Sequence, residues 1–199
     1  MLALHCLIEI PSLHSGLNDS TDSTPDQALG PVTLYTEPRQ ESSLAIIIQD
    51  RRELDSREHD YEKASAAVYG VSSGYWHRLR YEVNGQQGYG WLRPEDAAIF
   101  KDLHSFLYSA SMTYLTNAWD GRMFKQPNKD SASSSIGNAG RNQGARIIDI
   151  HYRGTEPWYL VALVSEYCTG EPLNVIGTGW VPAYSEAGGN TVWYYSRGC

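Results

Sequence analysis

Apolar and polar positions along this chain alternate in short runs far more often than they recur at helical spacing. The clearest run begins at Trp76 and continues His77, Arg78, Leu79, Arg80, Tyr81, a period of two that predicts a strand with one buried face. Asn84 and Gly85 follow. That pair suits a type I′ turn, whose two positive φ angles match the twist of the flanking strands. A second run begins at Pro157 and Trp158 and continues through Tyr159, Leu160, Val161, Ala162, Leu163 and Val164. Only Ala98, Ile99, Leu103, Phe106 and Leu107 show partial helical spacing, which predicts a short helix or turn.

The two runs belong to a pattern that occurs twice. Its first pass opens with Val32, Leu34 and Tyr35, ends that strand at Pro38, contains the Trp76 run, and closes on Gly88, Tyr89, Gly90, Trp91, Leu92. Its second pass opens with Tyr114, Leu115 and Thr116, contains the Trp158 run, and closes on Gly177, Thr178, Gly179, Trp180, Val181 after a longer hairpin loop, Ser165 to Val175. Long stretches precede each tryptophan run: charged Arg39 to Ser65 in the first pass, and Ser-, Gly- and Asn-rich Lys125 to Ala145 in the second. Both are expected as exposed loops between strands. Residues Asn18 to Gly30 hold little that can be buried. They read as part of a mobile leader. The expected organisation is therefore all-β: a leader over 1–30, a first barrel over 31–100, a connector over 101–111, and a second barrel with a C-terminal extension over 112–199.

Composition supports short strands and tight turns, with 14 Tyr, 6 Trp and 18 Gly against only 3 Phe. The formal net charge of −7 speaks against nucleic acid as a partner, because phosphate binding relies on clustered Lys and Arg. The excess of acid lies in the first half, since the stretch from Lys101 onward is balanced. The run Leu2 to Ile10 is apolar but contains His5 and Glu9, and it is too short to span a bilayer. It lacks the basic start of an export signal, though it fits the tail of one that begins upstream. His5 also stands where a lipid-anchor signal before Cys6 wants a small residue.

The two passes resemble the bacterial SH3-like (SH3b) domain family. Leu34 to Pro38, Gly74 to Arg80, Asn84 to Gly85 and Gly88 to Leu92 stand where that pattern has an opening strand, a Gly-Trp strand, a turn and a closing Gly-x-Gly-Trp strand. In the second pass Leu115 to Ala118, Pro157 to Val161 and Gly177 to Val181 fit, with longer loops, and Thr191 to Cys199 lies beyond the usual pattern. The resemblance implies small barrels that bind peptides or peptidoglycan stems, usually outside the cytoplasm and often beside a cell-wall hydrolase domain.

No catalytic constellation accompanies this pattern. Gly70, Val71, Ser72, Ser73, Gly74 matches a nucleophile elbow, but that chemistry needs a helix after the turn, and here a strand is expected. The six histidines, at 5, 14, 59, 77, 104 and 151, include no pair spaced to grip a metal. Gly137, Gly140 and Gly144 are spaced neither as a phosphate loop nor as a dinucleotide turn. Asp50 to Lys63 interleaves acids with bases and reads as solvated surface. No cofactor and no metal are implied.

Among three cysteines, Cys168 and Cys199 suit a disulfide, worth roughly 3 to 4 kcal/mol in the chain-entropy model. Such a bridge implies an oxidising compartment, periplasmic or secreted; two buried free thiols are the alternative. Most aromatics of a small barrel fill its interior. The excess of Tyr over Phe, however, favours rings that are apolar yet wet. On that ground Tyr35, Tyr75 and Trp91 in the first pass and Trp119, Tyr159 and Trp180 in the second are the expected ligand contacts, lining a groove for an extended peptide. The expected partner is a cell-wall peptide or a protein segment. An adaptor or inhibitor docking on an enzyme, or the targeting or regulatory part of a hydrolase system, are the alternatives.

Overall fold

In the computed structural model the described residues are 4–10, 31–60, 63–97, 99–130, 133–134, 142–165 and 174–195. The chain divides between Asp102 and Leu103 into two compact units. Each is built on one antiparallel sheet.

The first unit contains β1 (Cys6–Glu9), β2 (Val32–Tyr35), β3 (Leu44–Ile48), β4 (Ser56–Asp60), β5 (Lys63–Val71), β6 (His77–Val83), β7 (Gln86–Leu92) and β8 (Ile99–Asp102). The order across the sheet is β3-β2-β7-β6-β5-β1-β8, and β4 pairs with β5 off this path. Alternation gives β6 and β7 their two faces. Leu79 and Leu92 are fully buried, whereas Arg78, Arg80, Tyr89 and Trp91 are half-exposed. Asn84 and Gly85 both have positive φ, 52° and 76°, the signature expected of a type I′ hairpin.

Two glycines set how closely β7 is approached. A Cβ on Gly90 would stand 2.6 Å from the Cβ of Leu34 on β2. One on Gly88 would overlap the ring of Tyr81, its cross-strand partner. The core then closes around Ile8, Val32, Leu34, Ile48, Val68 and Leu79, each such side chain contributing roughly 1.5 to 3 kcal/mol on burial.

The second unit begins with α1 (Leu103–Ser109) and continues with β9 (Thr113–Leu115), β10 (Met123–Phe124), β11 (Ser133–Ser134), β12 (Gly144–Arg153), β13 (Glu156–Val164), β14 (Val175–Pro182) and β15 (Val192–Tyr194). Its order is β11-β10-β14-β13-β12-β9-β15. The hairpin from β12 to β13 turns at Gly154, φ 62°, and Thr155, a pattern of the II′ kind.

The two sheets share one connectivity. Replacing β1, β2, β3, β5, β6, β7, β8 by β9, β10, β11, β12, β13, β14, β15 converts the first order into the second. Tyr35 pairs with Trp91 as Phe124 pairs with Trp180. Leu34 fills the place left by Gly90, and Met123 lies at 3.0 Å from a Cβ placed on Gly179. One constant offset in sequence relates all four of these equivalent pairs. The duplication is thus present in the pairing of the strands as well as in the tryptophan motifs.

Four expectations need correction. Within the expected leader, Cys6–Glu9 is an interior strand between β5 and β8, with Cys6, Leu7 and Ile8 fully buried; residues 11–30 lie outside the described ones. The charged stretch from Arg39 to Ser65 holds two strands, β3 and β4, and a 3-10 turn at Arg51–Glu53. The opening strand of the second pass is Met123–Phe124, because Thr113–Leu115 pairs with β12 and β15 and so corresponds to β1. The connector holds the end of β8 and the helix α1, which packs on β12 and β15 of the second unit. Strands as short as β3 and the wholly polar β4 leave little periodicity, which is why the charged stretch reads as loop.

Filling the gap at Gly90 tests this packing. Gly90→Ala is expected to destabilise the protein by about 1 to 3 kcal/mol in urea unfolding. In a Leu34→Gly background the same change is expected to cost much less, since the Leu34 Cβ that it would meet at 2.6 Å is gone.

Candidate ligand-binding face

The outward face of β2, β7, β6 and β5 carries two rows of arginine and aromatic side chains. Strand alternation puts them there: Tyr35, Trp91 and Arg78 are register neighbours across three strands, as are Tyr89 and Arg80 across two. Gly70 on β5 continues the first row, where a Cβ would sit 3.6 Å from Arg78 and 3.9 Å from Trp91. A bare backbone there lets both side chains lie flat across the sheet.

The rows differ in charge balance. In one, Arg80 lies over the Tyr69 ring at 5.5 Å and its Nη2 donates to Asp55 Oδ2 at 2.6 Å. The Tyr69 hydroxyl donates to the same carboxylate oxygen, and Arg57 adds a 2.9 Å ion pair to Asp55. Burial, and then the Asp55 hydrogen bond, push the Tyr69 phenol up to about 12. This row is complete within the chain, because the Asp55 carboxylate satisfies its cations and its phenol.

The other row has no such anion. Arg78 stacks over Tyr89 at 4.8 Å and reaches Trp91 at 5.9 Å. Arg93 stacks over Tyr35 at 4.5 Å, and Tyr35 meets Trp76 edge-on at 5.6 Å and 88°. Cation–π and edge-to-face contacts of this kind each hold a side chain by about 1 kcal/mol. Among the described residues neither Arg78 nor Arg93 has a carboxylate within ion-pair distance. Asp96 feels the charge of Arg93 across a longer gap, while its own burial, reinforced by Glu95, pushes its carboxyl up.

Of the six expected contacts, this face unites Tyr35 and Trp91. Tyr75 is 72 % exposed in the turn between β5 and β6, held at φ 59°, an uncommon conformation for a side chain of that size. Trp180 is half-buried with the His151 ring 6.0 Å away. Trp119 and Tyr159 are buried and are corrected from surface contacts to core residues. Trp119 Nε1 donates to the carbonyl of Arg122, and Tyr159 OH pairs with His104 Nδ1 at 2.6 Å. Since His104 Nε2 also lies 3.4 Å from Tyr184 OH, these phenols fix α1 to its sheet.

Sequence reasoning missed Arg78, Arg93, Tyr89 and Trp76. The signal was present, because the Arg-Leu-Arg alternation of β6 places both arginines opposite the rings of the Gly-Tyr-Gly-Trp strand. Ser72, the centre of the elbow-like string, accepts from the Trp76 amide through Oγ at 3.2 Å, and strand β6 follows the turn. Among the described residues no three His, Cys, Asp or Glu side chains gather to hold a metal. No helix among them is long and apolar enough to cross a membrane. Cys6 is free and buried, and burial, helped by Asp102, raises its thiol to about 12. Cys168 and Cys199 lie outside the described residues. Comparison with protein-family models, curated proteins and solved structures finds no match for this chain.

A raised phenol pKa favours the folded protein below the ordinary tyrosine value of 10.0 and loses that advantage as pH climbs through about 12. Stability is therefore expected to fall across that interval. In the ultraviolet titration of tyrosinate, subtracting Tyr69→Phe from the wild type is expected to leave one late-ionising group; a difference centred near the ordinary value would contradict the Asp55 link.

Proposed function

We propose that this chain is a non-catalytic binding protein made of two tandem bacterial SH3-like barrels, and that it recognises an extended peptide of the cell wall or of another protein. The reading fits a periplasmic or secreted protein. The observation that carries it is the open row of Tyr35, Trp91, Arg78 and Arg93, in which rings and cations share one half-exposed face. Flat rings beside hydrogen-bond donors hold an extended backbone without demanding one sequence. The resemblance to the SH3b pattern and the duplicated strand order support the same reading, and a wall peptide is its leading ligand.

Retention on isolated cell-wall sacculi tests it. The wild type is expected to sediment with sacculi, and Trp91→Ala with Tyr35→Ala is expected to reduce retention about tenfold or more, the scale set by losing two aromatic anchors. Equal sedimentation with and without sacculi would sink the wall-peptide version.

The adaptor reading has one observation of its own. Among the described residues strand β3 ends the first sheet, paired with β2, and exposes Leu44 and Ile47, by 54 % and 41 %. An apolar sheet edge is a template for a partner's strand. If a partner protein docks there, Ile47→Lys is expected to abolish its co-purification while leaving retention on sacculi unchanged.

A further inference from the structure

We infer that the first unit selects peptides bearing free carboxylates, with Arg78 and Arg93 as the selecting residues, and that the second unit has lost this capacity. The inference rests on the peptide-binding reading above and specifies the chemistry of its ligand.

Two rows of arginine and aromatic side chains share one sheet face. In the first, Arg80 and Arg57 share the Asp55 carboxylate, so the chain supplies its own anion. In the second, Arg78 and Arg93 stack on rings and, among the described residues, have no carboxylate within ion-pair distance, although the chain carries a formal charge of −7. Arg93 Nε is screened from solvent and lacks a hydrogen-bond acceptor. Stacking on an aromatic face leaves the Nη edge of a guanidinium open, and that edge matches a carboxylate in a two-pronged contact. The acceptor that Asp55 provides in one row is thus missing from the other, and a ligand carboxylate has the matching chemistry.

The second unit serves as an internal control. The edge-on aromatic pair is retained, Phe124 meeting Trp158 at 5.6 Å and 83° as Tyr35 meets Trp76. The cations are gone. Leu160 stands opposite Trp180 where Arg78 stands opposite Trp91, and Ala162 stands opposite Thr178 where Arg80 stands opposite Tyr89. Pro182 takes the position of Arg93. Arg122 does approach the Phe124 ring, at 5.6 Å, but its guanidinium is paired with Asp120 at 2.6 Å. What both units keep is packing; the ring-stacked arginines at these positions belong to the first, while the second carries an exposed Arg146 beside Ala162.

The test compares a soluble wall stem peptide carrying free carboxylates with the same peptide amidated at every carboxylate, by calorimetry on the full chain. The free form is expected to bind about tenfold tighter or more, and each of Arg78→Ala and Arg93→Ala to remove about tenfold, the scale of one hydrogen-bonded charge pair. Arg122→Ala is expected to change nothing. Arg78→Lys, which keeps the charge but not the planar fork, is expected to recover little. Thermal melts of each variant separate loss of binding from loss of fold. Equal affinity for the two peptides would overturn the carboxylate inference and leave the peptide-binding reading standing. Binding of neither peptide by a chain still retained on sacculi would overturn the inference as well. So would salt-sensitive self-association abolished by Arg78→Ala, because the acceptor would then be a second copy's own acids.

Discussion

The close approach of a leucine to a bare glycine fixes the rest of the first unit. Leu34 can occupy the space over Gly90 only because that residue has no side chain, and the contact pins β2 against β7 in one register. That register puts Tyr35 beside Trp91, and the hairpin then puts Arg78 on the other side of the indole. A slip of one residue would send every one of these side chains to the opposite face. Met123 over Gly179 repeats the arrangement in the second unit. The same sterics hold there with a different aliphatic side chain.

Packing and recognition are separable on this scaffold. The inward face of each sheet obeys the same rule in both units, a large aliphatic side chain seated over a bare glycine. The outward faces obey no common rule, since nothing in the core depends on whether Arg78 or Leu160 stands beside the indole. Duplication of a small sheet therefore leaves one face free to keep a charge and the other free to lose it. Asp55 marks the boundary of that freedom: it neutralises Arg80 and takes the Tyr69 proton-donor contact while only 10 % exposed, so it serves the fold.

The sequence carried the hairpins and the repeat plainly. Asn84 and Gly85 announce their turn, and the Gly-x-Gly-Trp strands announce their pairing with the tryptophan runs. It concealed β1, because three apolar residues followed by Glu9 show no period, and it concealed β10, because a two-residue strand has none to show. Matching Leu34 with Leu115 was the natural result, since each lies in a short strand beside a tyrosine; only pairing with the Gly-x-Gly-Trp strand distinguishes them. For the site, counting rings gave equal weight to Trp91 and to Tyr159, whereas burial divides them. A tyrosine whose hydroxyl is taken by a buried histidine is core, however polar its tip. The arginines escaped notice because charge on an alternating strand is ordinarily solvated surface.

The account stands or falls on where a peptide touches the protein. Assigned amide and indole resonances, followed while the wall stem peptide with free carboxylates is titrated into the full chain, answer this directly. Perturbations confined to Tyr35, Arg78, Trp91, Arg93 and their strand neighbours are the result it predicts. Shifts centred on Trp180, or spread evenly through both units, would contradict it.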